Sequence, residues 1–197
     1  MTILSKNDQR GRSMVEMLGV LAIIGVLSVG GISGYSKAMA KFKLTKAQDQ
    51  MSMLLMNVRT AFATSSSYEG LNNGTAVTFG IAPADMTTVK KSVATGSSTP
   101  LTNAFGGPAH VGSCDVTTLD CATVTNILPI QLFGIRFEGL SRDACFALGG
   151  IDWGADGLIE IKINDKEHTT ADFPIPLTTI ANDCNSYADN SITWTYY

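Results

Sequence analysis

Twenty residues from Met17 to Ser36 carry neither a charge nor a proline, and a single carboxylate, Glu16, stands immediately before them. A run of that length is sufficient for a helix to cross a hydrocarbon core, so the chain is constrained first by what covers this segment. Gly19, Gly25, Gly30, Gly31 and Gly34 fall inside it. Each lowers helix propensity in water by about 1 kcal/mol against alanine, and each lets a second helix approach closely or the backbone unwind locally. Gly30, Gly31 and Gly34 are the expected place for the helix to stretch. Glu16 has two readings: it ends the span at headgroup level, or it lies in apolar surroundings, requires a cation and marks a function.

The apolar positions Tyr35, Ala38, Met39, Phe42, Ala47, Met51, Leu54, Leu55, Val58 and Phe62 then recur at three- and four-residue spacing. This predicts one helix from about Met14 to Ala63, apolar all round in its first half and with one buried face in its second. Met53 and Met56 lie off that stripe, where methionine suits either head packing or an imperfect contact with a neighbouring chain. Charge divides along the same line. Residues 12–62 carry a balance of plus four and residues 63–197 of minus eight, a basic stem and an acidic head. The Lys37–Lys46 lysines have only Phe42 as an interleaved aromatic, so they fit anchoring at a membrane interface better than nucleic acid. Positive residues flank the apolar run on both sides and leave its orientation open.

Four cysteines, Cys114, Cys121, Cys145 and Cys184, all stand in the C-terminal part, with no C-x-x-C and no nearby histidine pair that suggests zinc. An even count favours disulfides and an oxidising, extracytoplasmic head. Three pairings are possible, besides free buried thiols. The preferred one joins Cys114 to Cys121 and Cys145 to Cys184.

Beyond the helix, Tyr68 to Pro83 reads as a loop and Ala84 to Ala94 as a short helix. Asn103 to Gly107 reads as a turn before a strand at Ala109 to Gly112. Further strands are expected at Thr123–Phe137, with Pro129 marking an edge or break, at Gly157–Ile163 and at Ile192–Tyr197. Ser141 can cap a helix carrying Cys145, and Leu177 to Tyr187 reads as a helix carrying Cys184. Neither His110 nor His168 belongs to a nucleophile arrangement, and no enzyme activity, cofactor or metal is expected. Asp152–Gly157 is a poor calcium loop, with Gly154 at the third liganding position and Ile163 at the last. Asn73-Gly74-Thr75 fits a glycosylation sequon but is too short to assign a function.

Gly11 followed by Arg12-Ser13-Met14-Val15-Glu16 and the apolar run resembles the processing site of type IV prepilins. The resemblance implies cleavage after Gly11 by a prepilin peptidase, a mature terminus at Arg12, and a Glu16 that neutralises a neighbouring subunit's terminal amine during assembly. The family usually begins its mature chain with an apolar residue, whereas Arg12 is charged. Asn103-Ala104-Phe105-Gly106-Gly107, and Leu140 to Cys145 with Cys184, are similar to features of the type IVb branch.

The expected fold is α+β, a long N-terminal helix packed on an antiparallel β-sheet head with short helices and a disulfide-stapled C-terminal region. The expected divisions are a leader at 1–11, a membrane-spanning or filament-core segment at 12–36, an amphipathic helical segment at 37–64 and a head at 65–197. The implied role is a structural subunit of a type IV pilus, a homo-oligomeric helical filament. It would be stored in the bacterial inner membrane among lipid, with its head in the periplasm, and drawn to the cell surface by an assembly platform. Two alternatives stand beside it: a minor pilin or type II secretion pseudopilin, and a single-span tethered binding module.

Overall fold

The computed structural model describes residues 9–87, 96, 98–114, 128–153 and 157–197, with side chains from Met14 onward except at position 129. The chain divides into two compact units, Met1–Phe42 and Lys43–Tyr197. Helix α1 (Gln9–Ala61) contributes to both.

In the first unit every side chain from Met14 to Phe42 is exposed, Tyr35 and Phe42 included, although both continue the apolar stripe. The stripe becomes a buried face only from Ala47, which with Met51, Leu54 and Val58 lies in the core of the second unit. α1 ends two residues before the expected Ala63, in a turn closed by the Ser65 amide donating to the Phe62 carbonyl.

The second unit is built on a six-stranded antiparallel sheet. Its strands are β1 (Leu101–Thr102), β2 (Pro108–Ser113), β3 (Phe133–Leu140), β4 (Leu158–Ile163), β5 (Lys166–Thr169) and β6 (Asn190–Tyr196), in the order β1-β2-β3-β6-β4-β5. The C-terminal strand is therefore central, with Ile135 opposite Trp194 on one side and Ile161 opposite Trp194 on the other. Phe133, Ile135 and Phe137 of β3 alternate onto the face that meets Ile192, Trp194 and Tyr196, the period of two that a half-covered sheet requires. Ring contacts carry the packing from the loop into the sheet: Tyr68 lies 4.6 Å from Phe133, and Phe133 lies 5.5 Å from Tyr196.

Three short elements were not among those expected. Helix α2 (Asn73–Thr78) lies inside the expected loop, started by a capping box between Asn72 and Thr75. Strands β1 and β5 complete the two sheet edges. Of the strand expected over Thr123–Phe137, the described part begins at Phe133, after a 3-10 turn at Pro129–Gln131; residues 123–127 lie outside the described residues. The expected helix over Ala84–Ala94 is a 3-10 turn at Ala84–Met86, its remainder from 88 onward lying outside them. Helix α3 (Arg142–Gly149) has the expected cap, the Ala144 amide donating to the Ser141 hydroxyl oxygen. Helix α4 (Leu177–Asp183) stops at Asp183, so Cys184 caps it rather than lying within it.

Candidate assembly surfaces

In the first unit the exposed apolar side chains include Met17, Leu18, Ile23, Ile24, Val26, Leu27, Val29 and Ile32. A helix apolar on every side and exposed on every side needs lipid or other helices around it. By length and composition it is able to cross a membrane. A Cβ added at Gly19, Gly25, Gly30, Gly31 or Gly34 meets nothing within 4 Å beyond its own helix among the described residues, so no described contact requires these glycines. Glu16 is exposed on the same helix and makes no ion pair among the described residues.

In the second unit the remainder of α1 has three distinct sides. One is the core stripe. A second is clamped by the segment after α2: Lys46 Nζ lies 3.0 Å from Asp85, Gln50 Nε2 donates to Asp85 at 2.8 Å, and Asn57 Nδ2 donates to the Ile81 carbonyl at 2.8 Å. The two donors hold the Asp85 carboxyl below its ordinary range against the opposing effect of its desolvation. A third side opens into a groove of ≈ 770 Å³, where Gln48, Ser52, Leu55 and Arg59 face Ile151 and Trp153. Trp153 also walls an adjoining cleft of ≈ 440 Å³ with Phe173 and Ile175. The Arg59 guanidinium stands 5.5 Å from the centre of the Tyr196 ring, and burial pushes the Tyr196 hydroxyl's pKa upward.

The Asn103–Gly107 turn has a structural cause. The Asn103 side chain accepts from the Phe105 and Gly107 amides and donates to the Pro108 and Glu138 carbonyls. A Cβ at Gly107 would stand 2.0 Å from the Glu138 carbonyl oxygen. Gly139, at φ +67°, lies against Gly107 where the pairing of β3 with β6 shifts register. Gly139 was invisible in the sequence, because only the strand pairing brings it to Gly107.

Asn73 is buried rather than displayed. Its amide donates to the Thr99 and Ala109 carbonyls at 2.9 and 3.1 Å, and its oxygen accepts from the Val111 amide at 2.8 Å. The sequon is thus a brace between α2 and β2, with no free amide to carry a glycan.

Cys145 and Cys184 are joined, their Cα atoms 5.8 Å apart, so α3 is stapled to the end of α4. Cys114 is buried just after β2, and its expected partner Cys121 lies outside the described residues. Two asparagines absent from the sequence reading tie the stapled region to the sheet. Asn190 donates to the Leu140 and Ser186 carbonyls, and Asn164, at φ +52°, donates to the Asp183 carbonyl at 2.7 Å. His168 Nε2 lies 2.8 Å from Asp183, and His110 faces Glu138. Residues 154–156 of the weak calcium loop lie outside the described residues, and no metal-holding group occurs among the described ones.

An exposed apolar helix, joined in sequence to a head in which helix packs on antiparallel sheet and a disulfide closes the C-terminal part, defines the type IV pilin fold. The crystal structure of type IV b pilin from Salmonella typhi has that fold. It is 20% identical, with a TM-score of 0.53, over 79% of this chain and 98% of that one. TcpA, a type IV pilin from Vibrio cholerae El Tor biotype, is 15% identical, with a TM-score of 0.48, over 79% of this chain and 99% of that one. No curated protein sequence matches. The family model described as PilS N terminal matches residues 42–197, and the chain belongs to that family of type IV pilins.

Proposed function

We propose that this pilin is the repeating subunit of a type IVb pilus filament on the bacterial surface. A prepilin peptidase removes residues 1–11 by cutting after Gly11, and Arg12 becomes the mature terminus. The segment 12–36 holds the subunit in the inner membrane with its head in the periplasm, until an assembly platform moves it into the filament. There the helices of other copies replace lipid around Met17 to Ser36. Glu16 accepts the terminal amine of a neighbouring copy, since a carboxylate among apolar helices is costly until a cation reaches it. Arg12 brings a guanidinium beside that amine, so two donors are available to one carboxylate. Gly30, Gly31 and Gly34 give the helix its place to stretch.

The observation that carries this reading is the exposure of every side chain from Met14 to Phe42, a stretch of α1 whose single carboxylate is Glu16. Substituting Glu16→Ala in cells that make the filament tests it. We expect membrane insertion and head folding to persist while sheared surface filaments fall at least about tenfold, since an unmatched partner amine costs a few kcal/mol. Unchanged filament yield from Glu16→Ala would remove the assembly role of this carboxylate.

A further inference from the structure

The two readings of Glu16, at headgroup level or in apolar surroundings, differ in its depth within a bilayer, and α1 bears directly on that depth. The helix is unbroken from Gln9 to Ala61, so residues 16 to 37 follow one helical rise. At 1.5 Å per residue Lys37 stands about 32 Å along the helix from Glu16, and the uncharged run between them, Met17 to Ser36, is about 30 Å long. A hydrocarbon core is also about 30 Å thick. The run therefore matches the core without a spare turn. A shift by one turn, about 5.4 Å, would carry Glu16 into hydrocarbon in one direction and Lys37 in the other.

The two ends carry different side chains. Tyr35 retains 66% of its surface, and Lys37 is exposed two residues further on. A tyrosine at a bilayer interface keeps its ring among acyl chains and its hydroxyl among headgroups, and a lysine lays its stem along apolar surface while its ammonium reaches the lipid phosphates. At the other end Glu16 is followed at once by the exposed Met17 and Leu18. Its short stem cannot carry the carboxylate back to water from inside the core as a lysine stem carries its ammonium, so Glu16 is the stricter of the two stops.

We propose that the stored subunit sits in a single depth register in a phospholipid bilayer, with Glu16 hydrated in the headgroups of the cytoplasmic leaflet and Tyr35 and Lys37 in those of the opposite leaflet. The inference rests on the membrane storage in the filament reading and adds the place from which the carboxylate starts. Withdrawal of the helix toward the head drags Glu16 into hydrocarbon, so this one side chain opposes extraction until a neighbouring copy's cation meets it. Glu16 then serves twice, as a depth stop before assembly and as an acceptor during it.

The test reads water access along the helix in vesicles of phosphatidylethanolamine and phosphatidylglycerol that hold the full-length chain. Single thiols are introduced by Val15→Cys, Val20→Cys, Val26→Cys, Ile32→Cys or Ser36→Cys, none of the described native cysteines being free, and a water-soluble maleimide is supplied on both sides. The expected pattern is rapid alkylation at 15 and 36 and alkylation at least about tenfold slower at 20, 26 and 32, since a thiol in hydrocarbon neither ionises nor meets the reagent. Glu16→Leu is expected to let protection spread to position 15. Protection of position 15 with Glu16 in place, or an unchanged pattern from Glu16→Leu, overturns the register. Rapid alkylation at all five positions overturns the register and membrane storage together. Because vesicles need no assembly machinery, the filament reading is judged apart: the expected pattern in a chain that gives no surface filaments in cells leaves the register standing and overturns the filament.

Discussion

Gly107 has the tightest steric requirement among the described glycines, because any side chain there meets the Glu138 carbonyl, a backbone atom of β3 that also accepts from the Asn103 side-chain amide. Gly107→Ala is therefore expected to destabilise the head by about 2 kcal/mol or more, lowering Tm on the order of 5 °C in a thermal melt. Gly30, Gly31 and Gly34 behave oppositely, since a Cβ there meets no described atom beyond its own helix. Replacing all three with alanine should leave the head's Tm unchanged and stiffen the filament, read as reduced extension under force. Asn73 provides a separate check, because its three hydrogen bonds connect α2 to β2 and the 99 carbonyl. Asn73→Ala leaves buried backbone groups unpaired and should cost about 3 kcal/mol in a urea titration. Mass spectrometry of the unsubstituted protein should find no glycan on Asn73 even in a glycosylating host.

The Cys145–Cys184 staple holds α3 to the end of α4, and removing it with a Cys145→Ala, Cys184→Ala pair should cost about 4 kcal/mol by chain entropy, measurable by urea titration. The Asp85 clamp on α1 sets a pH dependence. Its carboxyl titrates below the ordinary carboxylate value in the folded head, so its contribution is present above that range and is lost as pH falls through it. Stability should therefore decline below about pH 4, and Lys46→Met should shrink that decline, since the lysine is one of the groups that hold the carboxylate charged. Long or strongly patterned elements were legible in the sequence: the α1 stripe from Ala47, the Ser141 cap, and the apolar runs that became β4 and β6. The shorter ones were not, for physical reasons. α2 is six residues of Asn, Gly, Thr, Ala and Val, closed by a threonine in place of the usual Glu or Gln of a capping box. β5 is Lys-Glu-His-Thr, an edge strand with charges where apolar alternation would have revealed it. Tyr35 and Phe42 fit the helical period but remain exposed, because periodicity identifies a face without saying what covers it.

Taken whole, the molecule has a head with a closed hydrophobic core and a first unit with none. The motif around Gly11, Arg12 and Glu16 carries the proposed processing and assembly roles within a few adjacent residues. The Trp153 groove was not legible, because α1 and the loop after α3 build it from distant parts of the chain. Filament assembly as proposed requires the exposed helix to be covered by lipid beforehand and by other copies afterwards, with the leader gone. Intact mass and N-terminal sequencing of the protein sheared from the cell surface decide this. The expected product is a chain that begins at Arg12, with the mass of residues 12–197 less the hydrogens lost to its disulfides. A surface chain still beginning at Met1, in cells with an active prepilin peptidase, would contradict it.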